Sequence, residues 1–313
     1  MGNPPRTIGR YEGQKQGPLF ICLGAMHGNE PAGVQAIRIV MTLLKEEPLV
    51  NPDFVFCGRM LGLIGNTQAL KAGRRYISED LNRILTYERV NRVLAADRNS
   101  LQDEEYEIKE MISAIHQEIL DYKPNQVVVL DLHSTSASGG IFVIVADDPE
   151  SIRIGTELHA PVILDFAREI TGTTLGYFTK ENFKENIVSV VFESGQHEEA
   201  LSVNRAIAAI INCLRTIGCI NAEDVENKHD LLLKEYSQGL PKVARLIERC
   251  TVDKKRPFTL VREFKNFEDI TAGQIIAFSG EEPVTTKYGG LILMPRLQDQ
   301  GDDGFFVVSP LAY

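Results

Sequence analysis

Two short runs, LFICLGA at 19–25 and VVVLDL at 127–132, are apolar at nearly every position instead of alternating with polar residues. A strand with one wet face alternates, so a run that is apolar on both parities reads as a strand buried on both faces. Such strands need cover above and below, and parallel strands joined by crossover helices supply it. The rest of the chain follows that rhythm. Residues 31–44 carry apolar side chains at helical spacing, and 103–120 reads as an amphipathic helix with an acidic start. Strand pieces are predicted at 54–56 and 62–64, further buried strands at 141–146 and 187–192, and a mostly apolar helix at 200–217. The predicted class is α/β, with a mixed, largely parallel sheet flanked by helices.

The rhythm changes near residue 220. NAEDVENKHD at 221–230 is polar and charged, and β-like runs follow at 258–261, 274–278, 290–294 and 305–308. A division into an α/β part, 1–220, and a small β-rich part, 221–313, is expected, the second of roughly 90 residues. The 313 residues allow one large domain or two unequal ones. The net charge of −10 argues against a nucleic-acid partner, which needs a basic face, but leaves room for a small anionic ligand held by local arginines. No apolar stretch reaches membrane-spanning length, and the N-terminal residues carry no apolar signal region, so neither a membrane partner nor a signal peptide is expected. The five cysteines are odd in number and form no C-x-x-C pair, which suits reduced thiols in a cytoplasmic protein. Homo-oligomerisation is left open.

Chemistry concentrates at the predicted strand ends, where open α/β sheets bind ligands. GAMHGNE follows the run at 19–25, DLHST closes the run at 127–132, and FESG closes the run at 187–192. In the first, a glycine-containing turn separates His27 from Glu30 by two residues, so that an imidazole and a carboxylate converge on one ion. With His133 they make a His₂Glu set, an arrangement that holds catalytic zinc and keeps a fourth position for water. Glu193 is then a spare carboxylate able to take a proton from that water. An isolated H-x-x-E is a weak signal, and a lone histidine after a strand is more often structural. Three such segments at successive strand ends, in a chain with six histidines, carry more weight together. His116, His159, His197 and His229 have no matching partners in the sequence and read as ordinary helix or surface residues. RRYISEDLNR at 74–83 brings three arginines and an asparagine into an acidic chain. Arginine forks grip carboxylates, while the plainer reading is a solvated loop with Asp80 capping a helix, and spacing alone does not choose.

The run GAMHGNEPAG, then RYISEDLNR, DLHST and FESGQH, resembles the aspartoacylase and succinylglutamate desuccinylase family of the zinc carboxypeptidase superfamily. The tail, FKNFEDITAGQIIA at 264–277 and the stretch 290–306, is similar to that family's C-terminal β domain, so the resemblance covers nearly the whole chain. It implies a zinc-carboxypeptidase-like fold whose β-rich tail narrows the cleft. It implies one zinc ion on His27, Glu30 and His133, with Glu193 as general base. Arg75 matches the arginine that polarises the scissile carbonyl, and Asn82 with Arg83 matches the pair that holds a substrate carboxylate. Asp131 faces the same way as His133 on a strand and is a candidate to orient it.

One position departs from the pattern. Aspartoacylases place an arginine about ten residues before the base to hold a second substrate carboxylate, and here Phe183 stands there with Lys184 beside it, a point charge without the fork. Lys184 is the substitute the sequence offers. The expected activity is cleavage of an N-acyl amino acid, with succinylated or acetylated acidic amino acids first. Carboxypeptidase action on short peptides, ester hydrolysis, and ligand binding without catalysis on the same fold are the alternatives.

Overall fold

The computed structural model describes residues 3–224, 228–295 and 300–312. The polar segment at 221–230 and the tail stretch 290–306 therefore each include residues, 225–227 and 296–299, that lie outside the described ones. The strands are β1 (Thr7–Glu12), β2 (Lys15–Gly24), β3 (Cys57–Ile64), β4 (Val127–Thr135), β5 (Phe142–Val145), β6 (Val162–Leu164) and β7 (Ile187–Gln196). After residue 220 come β8 (Val243–Thr251), β9 (Phe258–Leu260), β10 (Glu268–Ile270), β11 (Ile275–Ser279), β12 (Glu282–Thr285), β13 (Gly290–Leu293) and β14 (Asp303–Pro310). One sheet of 11 strands runs in the order β1-β3-β2-β4-β7-β5-β6-β8-β14-β13-β10, and a 3-stranded sheet, β12-β11-β9, stands beside it. The fold is the mixed α/β architecture expected. The centre of the large sheet, β3-β2-β4-β7, is parallel, while β5 runs antiparallel to β7.

Both faces of the centre are dry because both parities are apolar. Phe20, Cys22, Val128, Leu130, Val190 and Phe192 pack with the helices Ala32–Val50 and Leu201–Thr216 in one cluster. Leu19, Ile21, Leu23, Val127 and Val129 pack on the other face with Ile108, Met111, Ile112 and Ile115 of the helix Asp103–Tyr122. Farther along that second face a separate cluster forms on β5, β6, β8 and β14. Asp131, His133 and Glu193 share the parity of that face. They lie at the carboxyl ends of β4 and β7, where the two strands are in register at His133 and Glu193.

Three local expectations are corrected. Residues 54–56 form no strand. Phe54 and Phe56 are buried against the helix Ala32–Val50, but the Phe56 N–H donates to the Gln14 side chain rather than to a ladder, and the strand begins at Cys57. The strands carrying DLHST and FESG run on past 132 and 192 to Thr135 and Gln196, so His133 and Glu193 lie within the strands. Part of the polar segment near 221–230 is helical, since the helix Lys228–Tyr236 starts inside it. The sheet also continues past residue 220, because β8 pairs in parallel with β6. Among the described residues no helix is long and apolar enough to cross a membrane.

Candidate metal centre

The loop after β2 turns sharply enough to present His27 and Glu30 together. Ala25 sits at φ 55, and the Glu30 N–H returns to the His27 carbonyl at 3.1 Å. Gly28 is required by contact: a Cβ there would come within 2.0 Å of the Ala69 backbone carbon. His27 Nδ1 lies 2.9 Å from Glu30 Oε1, and His133 Nδ1 lies 2.9 Å from Glu30 Oε2. The Ser134 N–H also donates to Glu30 Oε2, at 3.0 Å. The two ring centroids are 4.9 Å apart. All three side chains are buried, and their donor atoms lie within 4.8 Å of one another.

Each imidazole is backed by a carboxylate. His27 Nε2–H donates to Asp80 Oδ1 at 3.1 Å, and His133 Nε2–H donates to Asp131 Oδ2 at 2.9 Å. With Nε2 turned to a carboxylate, each ring presents Nδ1 toward Glu30, and these are the nitrogens that would bind a metal once they carry no proton, as in carboxylate–histidine–metal triads. Asp80 has three tasks at once. It caps the 3₁₀ turn Leu81–Arg83 through the Asn82 N–H at 2.9 Å, holds His27, and accepts from Arg75 Nε at 3.0 Å. Asp80 caps a turn, as the plainer reading of the 74–83 loop had it, but its side chain is largely enclosed rather than solvated.

Electrostatics points the same way. Burial opposes charge on Glu30, but His27 and His133 outweigh it and hold the carboxyl well below the usual carboxylate range. Burial likewise opposes charge on Asp80, and His27 with Arg75 outweighs it. On His133 burial is outweighed by Asp131 and Glu30, which raise its pKa well above the usual imidazole value. Glu193 differs: burial pushes it up to about 8, His133 opposing and Glu30 and Asp131 adding to the push. Among the described residues, Glu193 Oε2 and Asp131 Oδ1 are buried without a hydrogen-bond partner. Arg75 stands among these carboxylates: it pairs with Asp80, its Nη1 is 3.8 Å from Glu30 Oε1, and its charge is felt by Glu193. Three carboxylates, Glu30, Asp80 and Asp131, lie against the two imidazoles, a donor set that a divalent cation would complete. Tetrahedral zinc with ligands at about 2.1 Å sets them about 3.4 Å apart, which the donor atoms here can meet. The residues present fit a divalent ion of the zinc type.

The predicted substrate residues separate into two groups. Arg75, Asn82 and Arg83 line the same cavity as His27, Glu30, His133 and Glu193, a space of about 890 Å³ counted to its open mouth. Asn82 Nδ2 lies 3.5 Å from His133 Nε2, and its Oδ1 accepts the Thr174 N–H at 2.9 Å. Arg83 donates to its neighbour's carbonyl, Asn82 O, at 2.8 Å and to Asp303 Oδ2 at 2.7 Å. Lys184 is not brought in. It is exposed and precedes the first residue of β7, whereas Glu193 lies six residues into that strand, about 20 Å on at the strand rise. Phe183 beside it packs with Tyr177, Phe178 and His116, not in the cavity.

Other residues at the site were not singled out from the sequence. His197, read as an ordinary residue, stands just behind the centre with Nδ1 2.7 Å from Ser134 Oγ and Nε2 buried without a partner among the described residues. Thr174 Oγ1 donates to Asp131 Oδ2 at 2.6 Å, and Asp303 enters from β14. Only the FESGQH spacing, four residues from Glu193, hinted at His197.

Residues 16–217 match the family model described as the succinylglutamate desuccinylase/aspartoacylase catalytic domain. A probable aspartoacylase from Nostoc sp. (strain PCC 7120 / SAG 25.82 / UTEX 2576) is 32% identical over 133 residues, 42% of this chain and 40% of that protein. The match to a probable aspartoacylase from Acaryochloris marina (strain MBIC 11017), at 27% identity, takes in 56% of this chain and 52% of that relative, so these alignments span about half of the relatives' length or less. A succinylglutamate desuccinylase from Shewanella sp. (strain MR-4) is 24% identical over 87% of this chain and 76% of its own length. Among solved structures, the product-bound ectoine utilization protein EutE from Ruegeria pomeroyi superposes with a TM-score of 0.63 at 17% identity, over 96% of this chain and 87% of that one. A succinylglutamate desuccinylase/aspartoacylase from Rhodobacter sphaeroides gives 0.62 at 16% identity, over 95% and 87%.

Proposed function

The chain belongs to the succinylglutamate desuccinylase/aspartoacylase family of hydrolases, and we propose on that premise that it cleaves the amide bond of a small N-acyl amino acid with a zinc ion held by His27, Glu30 and His133. The observation that carries the reading is the convergence of two carboxylate-backed imidazoles on the Glu30 carboxylate. When bound, zinc supplies Lewis acidity toward a water and a carbonyl oxygen. Glu193, on the neighbouring strand and in register with His133, takes the proton of the attacking water and delivers it to the leaving nitrogen. Arg75, held by Asp80, offers its charge where the carbonyl oxygen becomes negative. Asn82 and Arg83 receive the α-carboxylate. Arg83 spends two of its five N–H donors on Asn82 O and Asp303, which leaves donors for a substrate.

Metal analysis and turnover test this reading together. The wild-type protein is expected to hold about one zinc, and His27→Ala or His133→Ala to lose it. Glu193→Gln keeps the metal and lowers turnover of an N-acyl amino acid panel by about 10²–10⁴-fold, because an amide accepts no proton. Unchanged zinc in both histidine variants removes the metal assignment, and zinc loss in Glu193→Gln makes that residue a ligand. Turnover confined to peptides or esters in the same panel replaces the substrate class.

A further inference from the structure

We infer that the substrate carries an apolar side chain on its amino-acid half, where the family resemblance would place a second carboxylate. The inference rests on the N-acyl amino acid reading above and narrows it. Along the sheet face that bears Glu193, the surface turns apolar within one pleat. Val191 is two residues back on β7 and shares Glu193's parity, and its register partner on β5 is Ile144. Phe306 of β14 extends the same floor, and Phe166, Ile170 and Leu175, from the short segments between β6 and β7, stand over it. These six residues all line the cavity and belong to one apolar cluster.

The wall sits on the amino-acid side because the segment that supplies Ile170 and Leu175 also seats the carboxylate pair. The Leu85 N–H donates to Gly172 O at 2.9 Å, and the Thr174 N–H to Asn82 Oδ1 at 2.9 Å. Gly172 packs so closely that a Cβ there would lie 2.1 Å from Arg83 O. A group extending from an α-carboxylate held at Asn82 and Arg83 therefore meets this wall. The guanidinium groups that line the cavity among the described residues are Arg75, engaged by Asp80 and Glu30, and Arg83, engaged by Asp303. A second carboxylate laid against valine, isoleucine and phenylalanine would lose its hydration, whereas an aliphatic or aromatic side chain gains by leaving water.

The test compares kcat/KM of the zinc-loaded enzyme for the N-acetyl, N-butanoyl and N-succinyl derivatives of leucine, methionine and phenylalanine with those of aspartate and glutamate. Binding of free leucine and free aspartate by calorimetry gives a readout independent of turnover. The apolar substrates are expected to lead by about 100-fold or more, as for a polar group forced into an apolar pocket. Ile170→Arg, or Leu175→Arg should the first fail to fold, is expected to cut that ratio at least tenfold by placing a cation on the wall. An aspartate or glutamate derivative that equals the apolar ones overturns the inference and leaves the N-acyl amino acid reading standing. Rates that follow acyl-chain length and ignore the side chain also overturn it, because they put the wall on the acyl half. If no N-acyl amino acid is turned over by zinc-loaded enzyme, the parent reading fails, and calorimetry decides the wall: tighter leucine supports it, while tighter aspartate or no binding of either overturns it.

Discussion

Glu193 is 6% exposed, and its Oε2 meets no partner among the described residues, so its charge is costly wherever no cation stands beside it. That cost has a sign that can be measured. A folded pKa of about 8 against an ordinary 4.5 means the native state holds this proton more tightly than the unfolded chain does. The stabilisation is full below the ordinary value and is lost as pH rises through about 8. In metal-depleted protein, wild type is therefore expected to lose stability relative to Glu193→Gln between these limits, by on the order of a few kcal/mol. Denaturant titrations of both proteins at pH steps across that window measure the difference. A difference that stays flat with pH means the carboxyl is not held protonated. A bound cation favours the carboxylate, so adding zinc is expected to shrink the pH-dependent gap.

At the scale of elements, the helix Asp103–Tyr122 does more than cover the sheet. Its acidic first turn looks like ordinary dipole compensation, yet Glu104 of that turn is buried, as are Glu107 and Glu118 farther along the helix, and the first two of these reach the site loop. Glu104, 1% exposed, accepts the backbone N–H groups of Ile77, Ser78 and Glu79 at 2.7, 3.0 and 3.2 Å, and the Asn66 amide at 2.9 Å. Glu107 accepts Thr67 and Gln68 N–H groups and the Arg6 guanidinium. Together they pin the loop that brings Arg75 and Asp80 to the centre. Although burial works against its charge, these N–H groups keep the Glu104 carboxyl below its ordinary range, so its support is present at neutral pH and is lost in acid. Glu104→Gln sets an amide NH₂ against backbone donors and is expected to cost about 1–3 kcal/mol. The same variant should lower kcat while zinc content holds, since His27, Glu30 and His133 come from other elements. Zinc loss equal to the activity loss would show instead that the loop mainly steadies His27 through Asp80.

For the whole molecule, the consequence of a sheet that continues from β6 into β8 is that the cavity has walls from both ends of the chain. Asp303 of β14 shows the coupling. It binds Arg83 Nη2 at 2.7 Å and Arg249 Nε at 2.8 Å, and Arg249 in turn donates to Glu169 O. The two arginine side chains are 28% and 22% exposed, so the cluster adds little to stability, about 1 kcal/mol at most for each pair. Its charge is nonetheless felt by an anion entering the cavity. Asp303→Asn keeps an acceptor for Arg83 and removes the negative charge. KM for an N-acyl amino acid is expected to fall about 3- to 10-fold with kcat nearly unchanged, and the effect to weaken in high salt. An unchanged KM at low salt would mean that Arg83 does not meet the substrate's carboxylate.

How much of this was legible beforehand follows from the range of each interaction. Apolar periodicity is local, so the buried strands around 19–25, 127–132 and 187–192 could be read directly, and with them the need for helices on both faces. His27 and Glu30 share one turn, and His133 and Glu193 lie at like depths on adjacent strands, so short motifs placed them near one another. Strand order was not legible. β1 is an edge strand with partly exposed residues, and β6 has only three, so neither carries a two-faced apolar signature. Lys184 was nominated by its distance along the chain from Glu193, but the strand between them carries it to the opposite end of the sheet. The apolar wall could not be foreseen either. Its residues come from β5, β7, β14 and the segments between β6 and β7, each looking like ordinary core. Only tertiary packing decides which core residues close on one another and which are left facing a cavity, because that depends on pairings between segments far apart in sequence.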